Sequence, residues 1–502
     1  MAEVQLVETS LRDGNQCLWA ALGIDTARTL TVAPVMDRVG FKAIDFTTST
    51  HMAVAVRYKQ QDPWERIRLT AAAMPNTPLQ FLSTGFRFIS WETASPEFMA
   101  LAYKTLVDHG ISRFALADPM NDLDGNLAAA RMAKAGGAAY VVAALVYTLS
   151  PIHDDAHYVD RARALAASAD IDALYIKDPG GLLTPGRART LIPAIKAAIG
   201  DKPLELHAHC TIGLADLVYV DAPDQGVSAV QCASGAASDG TSNPPSERIV
   251  ANLRALGHRV DLDDAALAEV CAFFTRLAAA EGLPAGRPQA FDAAYLRHQL
   301  PGGMVGTMRR HLAEHRLSSI EGQVIEELGR VREELGWPIV MTPFAQMVLT
   351  QAVMNVTGHE RYAVIPDEVV RYALGRFGRP NRPIDPEVMD RIMALPQTKE
   401  IAAEPPPPSV AELRRRVGET LPDPEFLLRA PMPAEQVDAM RAAGPVPRRY
   451  VPEAAPAMKL IRELLGRRGL ASVTVEKDDF RLALTRRRET SLSRTLSPAG
   501  RG

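Results

Sequence analysis

Short runs rich in Val, Ile and Leu alternate with longer amphipathic stretches through the first 260 residues. The apolar runs predict strands at 5–9, 43–47, 78–82, 114–117, 141–147, 173–177, 204–209 and 229–233. Each is followed by a helical stretch. Residues 127–135 and 158–167 are Ala-rich and amphipathic, and 185–198 opens on a Thr-Pro helix start. Eight strand–helix units are the count of a closed parallel barrel, so the expected class is α/β with a (β/α)8 TIM barrel. A doubly wound open sheet is the main rival. It calls for a glycine fingerprint after the first strand, where this chain instead has Ser10-Leu11-Arg12-Asp13-Gly14-Asn15-Gln16.

The alternation then stops. Residues 262–400 are mostly helical in pattern, with helices expected at 264–281, 308–315, 320–335 and 343–357. Glu404 and the four prolines after it predict a stiff linker. Helices at 410–419 and 435–443 follow, then a small unit with a helix at 458–467 and strands at 473–476 and 480–485. The resulting division is a barrel at 1–290, a helical extension at 291–403, the linker at 404–411 and a second helical piece at 412–445. A helix–hairpin unit at 456–488 and a disordered Ser/Arg/Gly-rich tail at 489–502 complete it.

A length of 502 residues exceeds one ordinary core, in keeping with that division. Charged residues make up 23% of the chain with a net charge of −3, which gives no reason to expect nucleic acid or an anionic membrane as partner. No window approaches the roughly 18–20 apolar residues of a spanning helix. The first residues lack the basic and apolar regions of a signal peptide. Cys17, Cys210, Cys232 and Cys271 are dispersed and form no CxxC pair. Reduced thiols in a cytoplasmic protein are expected.

Chemistry in such barrels sits where strands end on the C-terminal face. Strand one ends at Arg12 and Asp13, strand six at Lys177 and Asp178, and strand seven at His207-Ala208-His209. Histidines two apart on a strand share a face. With Asp13 they offer two nitrogens and an oxygen, a set that suits zinc, manganese or cobalt. A protonated Lys177 beside a dication would be repelled, so its role requires loss of that charge. Alone, an HxH is more often incidental, and a strand-end lysine usually reaches solvent.

Glu8–Gln16, Asp62–Arg68, Tyr147–His153 and Ile176–Pro185 carry ETSLRDGNQ, DPWERIR, YTLSPIH and IKDPGGLLTP. LHAH, GTSNPP, LPGGM, VREELGWPIVMTPFAQ and QAVMNV follow, ending with the segment from Glu425 to Pro445. Together these motifs resemble the carboxyltransferase domain of pyruvate carboxylases and the alpha subunit of oxaloacetate decarboxylases, from about residue 4 to 445. The resemblance implies a biotin-dependent carboxyltransferase that moves CO2 between carboxybiotin on a separate carrier and a small acid. It implies a divalent metal held by Asp13, His207, His209 and a carbamylated Lys177, with Arg12 and Gln16 at the substrate pocket. Thr342 would relay a proton between substrate and biotin, while Ala345 and Gln346 would line the biotin pocket. The implied partners are a biotin carboxylase subunit and a biotinylated carrier protein, in a homo-oligomeric assembly.

Two positions depart from that pattern. Asn15 stands where the family has a histidine. Thr84 stands where the family has the arginine that grips a 2-oxo acid carboxylate, and Arg87 lies three residues on. Loss of that arginine removes a charge-assisted bidentate contact unless another residue replaces it. The Claisen-condensing enzymes and lyases of the same barrel family, such as isopropylmalate synthase and hydroxymethylglutaryl-CoA lyase, share Asp13 and the two histidines; Lys177 and the MTPFAQ segment separate the biotin branch from them. An inactive scaffold of a carboxylase complex is the non-enzymatic alternative. Ala457-Met458-Lys459-Leu460 is set aside as a biotin acceptor, because a helix-like rather than hairpin context surrounds Lys459.

Overall fold

The computed structural model describes residues 1–90, 92–300, 302–314, 317–450, 472–477 and 480–485. The eight strands are β1 (Gln5–Glu8), β2 (Ala43–Thr48), β3 (Leu79–Ser83), β4 (Ile111–Leu116), β5 (Tyr140–Val146), β6 (Ala173–Asp178), β7 (Leu204–Ala208) and β8 (Ala229–Cys232). They pair in parallel in sequence order, and β8 closes on β1 through Leu6–Val230 and its neighbours. The closure excludes the doubly wound sheet. The other strand boundaries fall within a residue of expectation, and the largest difference is at the start of β4. β4 starts at Ile111 rather than Phe114, because Arg113 breaks the apolar run yet points into the barrel, where Glu205 neutralises it at 2.6 Å.

Six of the helices between strands begin on side-chain caps. Asp25, Asp62, Ser95, Asp122, Asp154 and Thr184 each accept a hydrogen bond from a backbone N–H of the following first turn. Each such cap contributes about 1 kcal/mol and fixes where a strand hands over to its helix.

Inside the barrel, small side chains at Ala115, Ala117, Val142, Ala144 and Ala173 leave room for a few polar ones. At the N-terminal end Glu205 accepts from both Arg113 and Lys42 (2.8 Å), and Arg113 also donates to Gln80 at 2.6 Å. Burial pushes the Glu205 carboxyl up, but these two cations outweigh it and hold it below its ordinary value. At that end the buried carboxylate is paired with two protein cations.

Beyond the barrel, residues 300–401 build a second apolar core from helices that include Glu321–Glu334, Phe344–Thr357 and Asp367–Ala373. Its Ile339 and Met341 leave that core and pack against the barrel interior at Leu82, Ala117 and Val146. The prolines at 405–408 carry no helix. Ser409 and Glu412 then form a reciprocal capping box that restarts helix at Val410–Val417. The helices Asp423–Arg429 and Ala434–Ala443 fold back on the barrel: Phe426 meets Phe98 edge to face, and Trp64 Nε1 donates to the Pro424 carbonyl at 2.8 Å.

The strands Ser472–Lys477 and Phe480–Thr485 form an antiparallel hairpin, in the place expected. The expected helix at 458–467, Lys459 and the tail at 489–502 lie outside the described residues. Among the described residues no helix is long and apolar enough to cross a membrane.

Candidate metal centre at the barrel mouth

The chain leaves β1 through a helical turn, Ser10–Gly14, that lays Arg12 and Asp13 across the mouth of the barrel, both buried. Asp13 Oδ1 accepts from Arg12 Nη1 at 2.5 Å, while Arg12 Nε donates to Asp45 Oδ2 at 2.7 Å. Arg12 is thus committed to two carboxylates, and it turns Asp13 so that Oδ2 faces inward. There Oδ2 lies 3.0 Å from His207 Nε2 and 3.1 Å from His209 Nε2, and the two nitrogens are 3.1 Å apart. Strand register brings Lys177 beside His207, placing Nζ 3.2 Å from His207 Nε2.

The outer ring nitrogens decide what these atoms can do. His207 Nδ1 is 2.9 Å from Gln231 Oε1, and His209 Nδ1 is 2.7 Å from the Thr241 carbonyl. Both partners only accept, so in the neutral rings the proton is on Nδ1 and the Nε2 lone pairs face Asp13. Three acceptors then converge, and Asp13 Oδ2 is buried with no hydrogen-bond donor. Ligands about 2.1 Å from one ion and set at right angles lie roughly 3.0 Å apart. The observed spacings of 3.0 to 3.1 Å fit a shared dication.

The electrostatics carry the same message. Burial raises Asp13, but Arg12 and His209 outweigh it and hold the carboxyl well below its usual range. Burial and the Lys177 charge lower His207 to about 3. For His209 the pull of burial is overcome by Asp13, raising it to about 10. With no cation, a proton on His209 answers the excess negative pull, so a metal would displace that proton. Burial lowers Lys177 to about 8 against the opposing charge of Asp13, so its amine gives up its proton more readily than an exposed lysine does.

Sequence reasoning missed several supporting groups. Gln231 and Thr241 fix the two imidazoles, and Asn243 donates to the Ala208 carbonyl at 3.1 Å beneath them. Cys17, one turn after Asp13, has Sγ 3.6 Å from Asp13 Oδ1; its i,i+4 spacing was the available signal. Asn15 is buried, and its Oδ1 accepts from Gly23 N at 3.0 Å, closing the loop after β1. Gln16 on the same turn is exposed.

A cleft of about 1300 Å³ opens between the barrel rim and the helical extension. Thr84, Arg87 and Gln346 line it; the four metal-site residues do not. Thr342 is exposed, directly after the Ile339–Met341 segment packed on the barrel mouth. Ala345 is fully buried rather than on the cleft wall. The residues after Pro343 form the first turn of the helix Phe344–Thr357, which turns Ala345 and Val348 into the extension core and Gln346 outward.

The comparisons with known proteins bear on the fold and the family. The model of a conserved carboxylase domain matches residues 296–442. A pyruvate carboxylase subunit of Methanocaldococcus jannaschii is 35% identical over 391 residues, which span 78% of this chain and 68% of that protein. The 2-oxoglutarate carboxylase large subunit of Hydrogenobacter thermophilus is 32% identical over 394 residues, 78% of this chain and 60% of that one. The carboxyl transferase domain of Rhizobium etli pyruvate carboxylase, solved with pyruvate, has the same fold at a TM-score of 0.79, with 22% identity over 88% of this chain and 77% of that one. The chain belongs to the family of the M. jannaschii pyruvate carboxylase subunit, the biotin-dependent carboxyltransferases.

Proposed function

We propose that this carboxyltransferase moves CO2 between carboxybiotin, brought by a separate biotinylated carrier, and a small 2-oxo acid of the pyruvate or 2-oxoglutarate kind. In the forward direction the N–CO2 bond of carboxybiotin breaks, a C–C bond forms on the acceptor carbon, and the acceptor's proton ends on the biotin nitrogen. The same groups serve the reverse reaction.

Asp13, His207, His209 and a carbamylated Lys177 hold a zinc, manganese or cobalt ion in this reading. When bound, the ion stabilises negative charge developing on the acceptor's carbonyl oxygen as the adjacent carbon loses its proton. Thr342 takes that proton and returns it to biotin; a hydroxyl donates and accepts without adding a charge to the pocket. Arg12 fixes Asp13 and closes the floor of the acceptor pocket, with Gln16 at its edge. Thr84 and Arg87 line the acceptor side, and Gln346 the biotin side.

A biotin carboxylase subunit regenerates carboxybiotin elsewhere in the assembly. The barrel at 1–290 and the extension at 291–403 together form the reaction chamber, with the linker at 404–411 and the helices at 412–445 holding the extension against the barrel. The unit at 456–488 serves as a docking handle for partner subunits of a cytoplasmic, homo-oligomeric enzyme.

The observation that carries the reading is the convergence of Asp13 Oδ2 with two imidazole nitrogens at 3.0 to 3.1 Å. The test is oxaloacetate decarboxylation by the metal-loaded chain with free biotin. Turnover that requires both metal and biotin supports the proposal. Turnover indifferent to biotin refutes it.

A further inference from the structure

The three acceptors at the barrel mouth have a counterpart made of donors, at the seam between barrel and extension. The loop after β5 and the helix Asp155–Ala166 bring His153, His157 and Arg161 to that seam, and Asn381 meets them from the extension. The rings of His153 and His157 touch edge to face, with centroids 4.6 Å apart. Arg161 Nη1 donates to His157 Nδ1 at 3.3 Å, and Arg161 Nη2 donates to Asn381 Oδ1 at 3.2 Å. Each of the four side chains therefore contacts the next.

These contacts fix the proton positions. A guanidinium cannot accept, so His157 Nδ1 does, and the proton of the neutral ring is on Nε2. Ser150 Oγ accepts from Ile152 N at 3.2 Å. Among the described residues, the acceptor within reach of its own proton is His153 Nδ1 at 2.6 Å, which puts the His153 proton on Nε2 as well. Asn381 Oδ1 takes a guanidinium proton, so its other end is the amide N–H2. Four N–H groups remain, on His153 Nε2, His157 Nε2, Arg161 Nε and Asn381 Nδ2. All four nitrogens are buried with no acceptor among the described residues, and His153 as a whole is 3% exposed.

The surrounding charge has one sign. Arg332 acts on His153, and its own partners are neutral: Thr148 Oγ1, the Leu149 carbonyl and the Pro338 carbonyl, each at 3.2 Å. The carboxylates that act on the cluster are engaged elsewhere. Asp160 pairs with Arg163 at 3.0 Å, while Asp122 and Asp154 cap their own helices through Gly125 N and His157 N. Burial, then the charges of His157, Arg332 and Arg161, hold His153 far below its ordinary pKa. A water molecule would bring two protons that need acceptors of their own. An oxyanion brings acceptors alone, and its hydrogen bond to a guanidinium is of the stronger, charge-assisted kind.

We propose that this seam binds a free tetrahedral oxyanion, phosphate or sulfate, which ties the extension to the barrel through His153, His157, Arg161 and Asn381. None of the four lines the cleft or belongs to the metal centre. The inference stands independently of the carboxyltransferase reading.

The experiment is calorimetric titration of the full chain with inorganic phosphate, sulfate and AMP, in chloride buffer of matched ionic strength, for wild type, Asn381→Asp and Arg161→Gln. Wild type is expected to bind one phosphate or sulfate per chain with a Kd of about 1 mM or tighter, and to melt higher with either anion than with chloride. Asn381→Asp keeps the oxygen that faces Arg161 but replaces the donor with a negative acceptor. It is expected to abolish binding while melting in chloride buffer at or above the wild-type temperature. Arg161→Gln is expected to weaken binding by about 10- to 100-fold, the worth of one charge-assisted hydrogen bond. No saturable binding by wild type, an equal response to chloride, or wild-type affinity in Asn381→Asp overturns the proposal. Binding of AMP in place of the free anions overturns the assignment to a free oxyanion.

Discussion

The two ends of the barrel interior handle buried charge in opposite ways. At the N-terminal end Glu205 meets Arg113 and Lys42, so every charge has a protein partner. At the C-terminal end Asp13 Oδ2 faces two imidazole nitrogens, Arg12 is bound to the other oxygen of the same carboxylate, and Lys177 Nζ lies 3.2 Å from His207 Nε2. The first pattern belongs to a structural plug. The second gathers a carboxylate oxygen and two imidazole nitrogens within 3.1 Å of one another, a set that one dication could bridge. The difference separates buried ionisable groups that hold the barrel shut from those that hold something for chemistry.

That contrast can be broken from either end. His207→Ala is expected to take the chain from about one divalent ion to none by elemental analysis, because it removes one of four proposed ligands and one of the only two imidazoles among them. Unchanged metal content would remove the assignment. Thr342→Ala is expected to slow carboxyl transfer by about 10²–10⁴-fold while metal content stays constant; a variant with normal transfer would end its proposed role as proton relay. At the closed end, Glu205→Leu leaves Arg113 and Lys42 without their carboxylate and is expected to cost about 3–5 kcal/mol in denaturant unfolding, with the folded protein still binding metal. A loss of metal at constant stability would mean the two ends are not independent. The smallest effect is expected for Gln231→Leu, which frees the His207 ring and weakens metal affinity by about 10- to 100-fold without abolishing it.

Much of this contrast is legible in the sequence. The eight apolar runs mark all eight strands, and the strand-end positions of Asp13, Lys177, His207 and His209 place the centre. The reason is local: strands buried on both faces are written as short continuous apolar runs, and their ends lie in neighbouring residues. The closed end is not legible that way. Arg113, Lys42 and Glu205 are polar residues far apart in the chain, and only barrel closure brings them together. The same holds for Gln231, which reads as an interruption of β8 until its side chain is seen to face His207. The resemblance puts Ala345 and Gln346 together in one pocket wall; helical phase in the first turn separates them, with Ala345 buried and Gln346 on the cleft. The return of residues 423–443 to the barrel, through Phe426 on Phe98, depends on a contact between segments distant in sequence.

The most direct test of the central claim is X-ray anomalous scattering from the purified chain, together with its metal content. One dication bonded to Asp13 Oδ2 and to Nε2 of His207 and His209 is the result the account predicts. A metal-free centre in protein purified and soaked with zinc, manganese or cobalt, with Asp13 bonded only to a protonated His209, would contradict it.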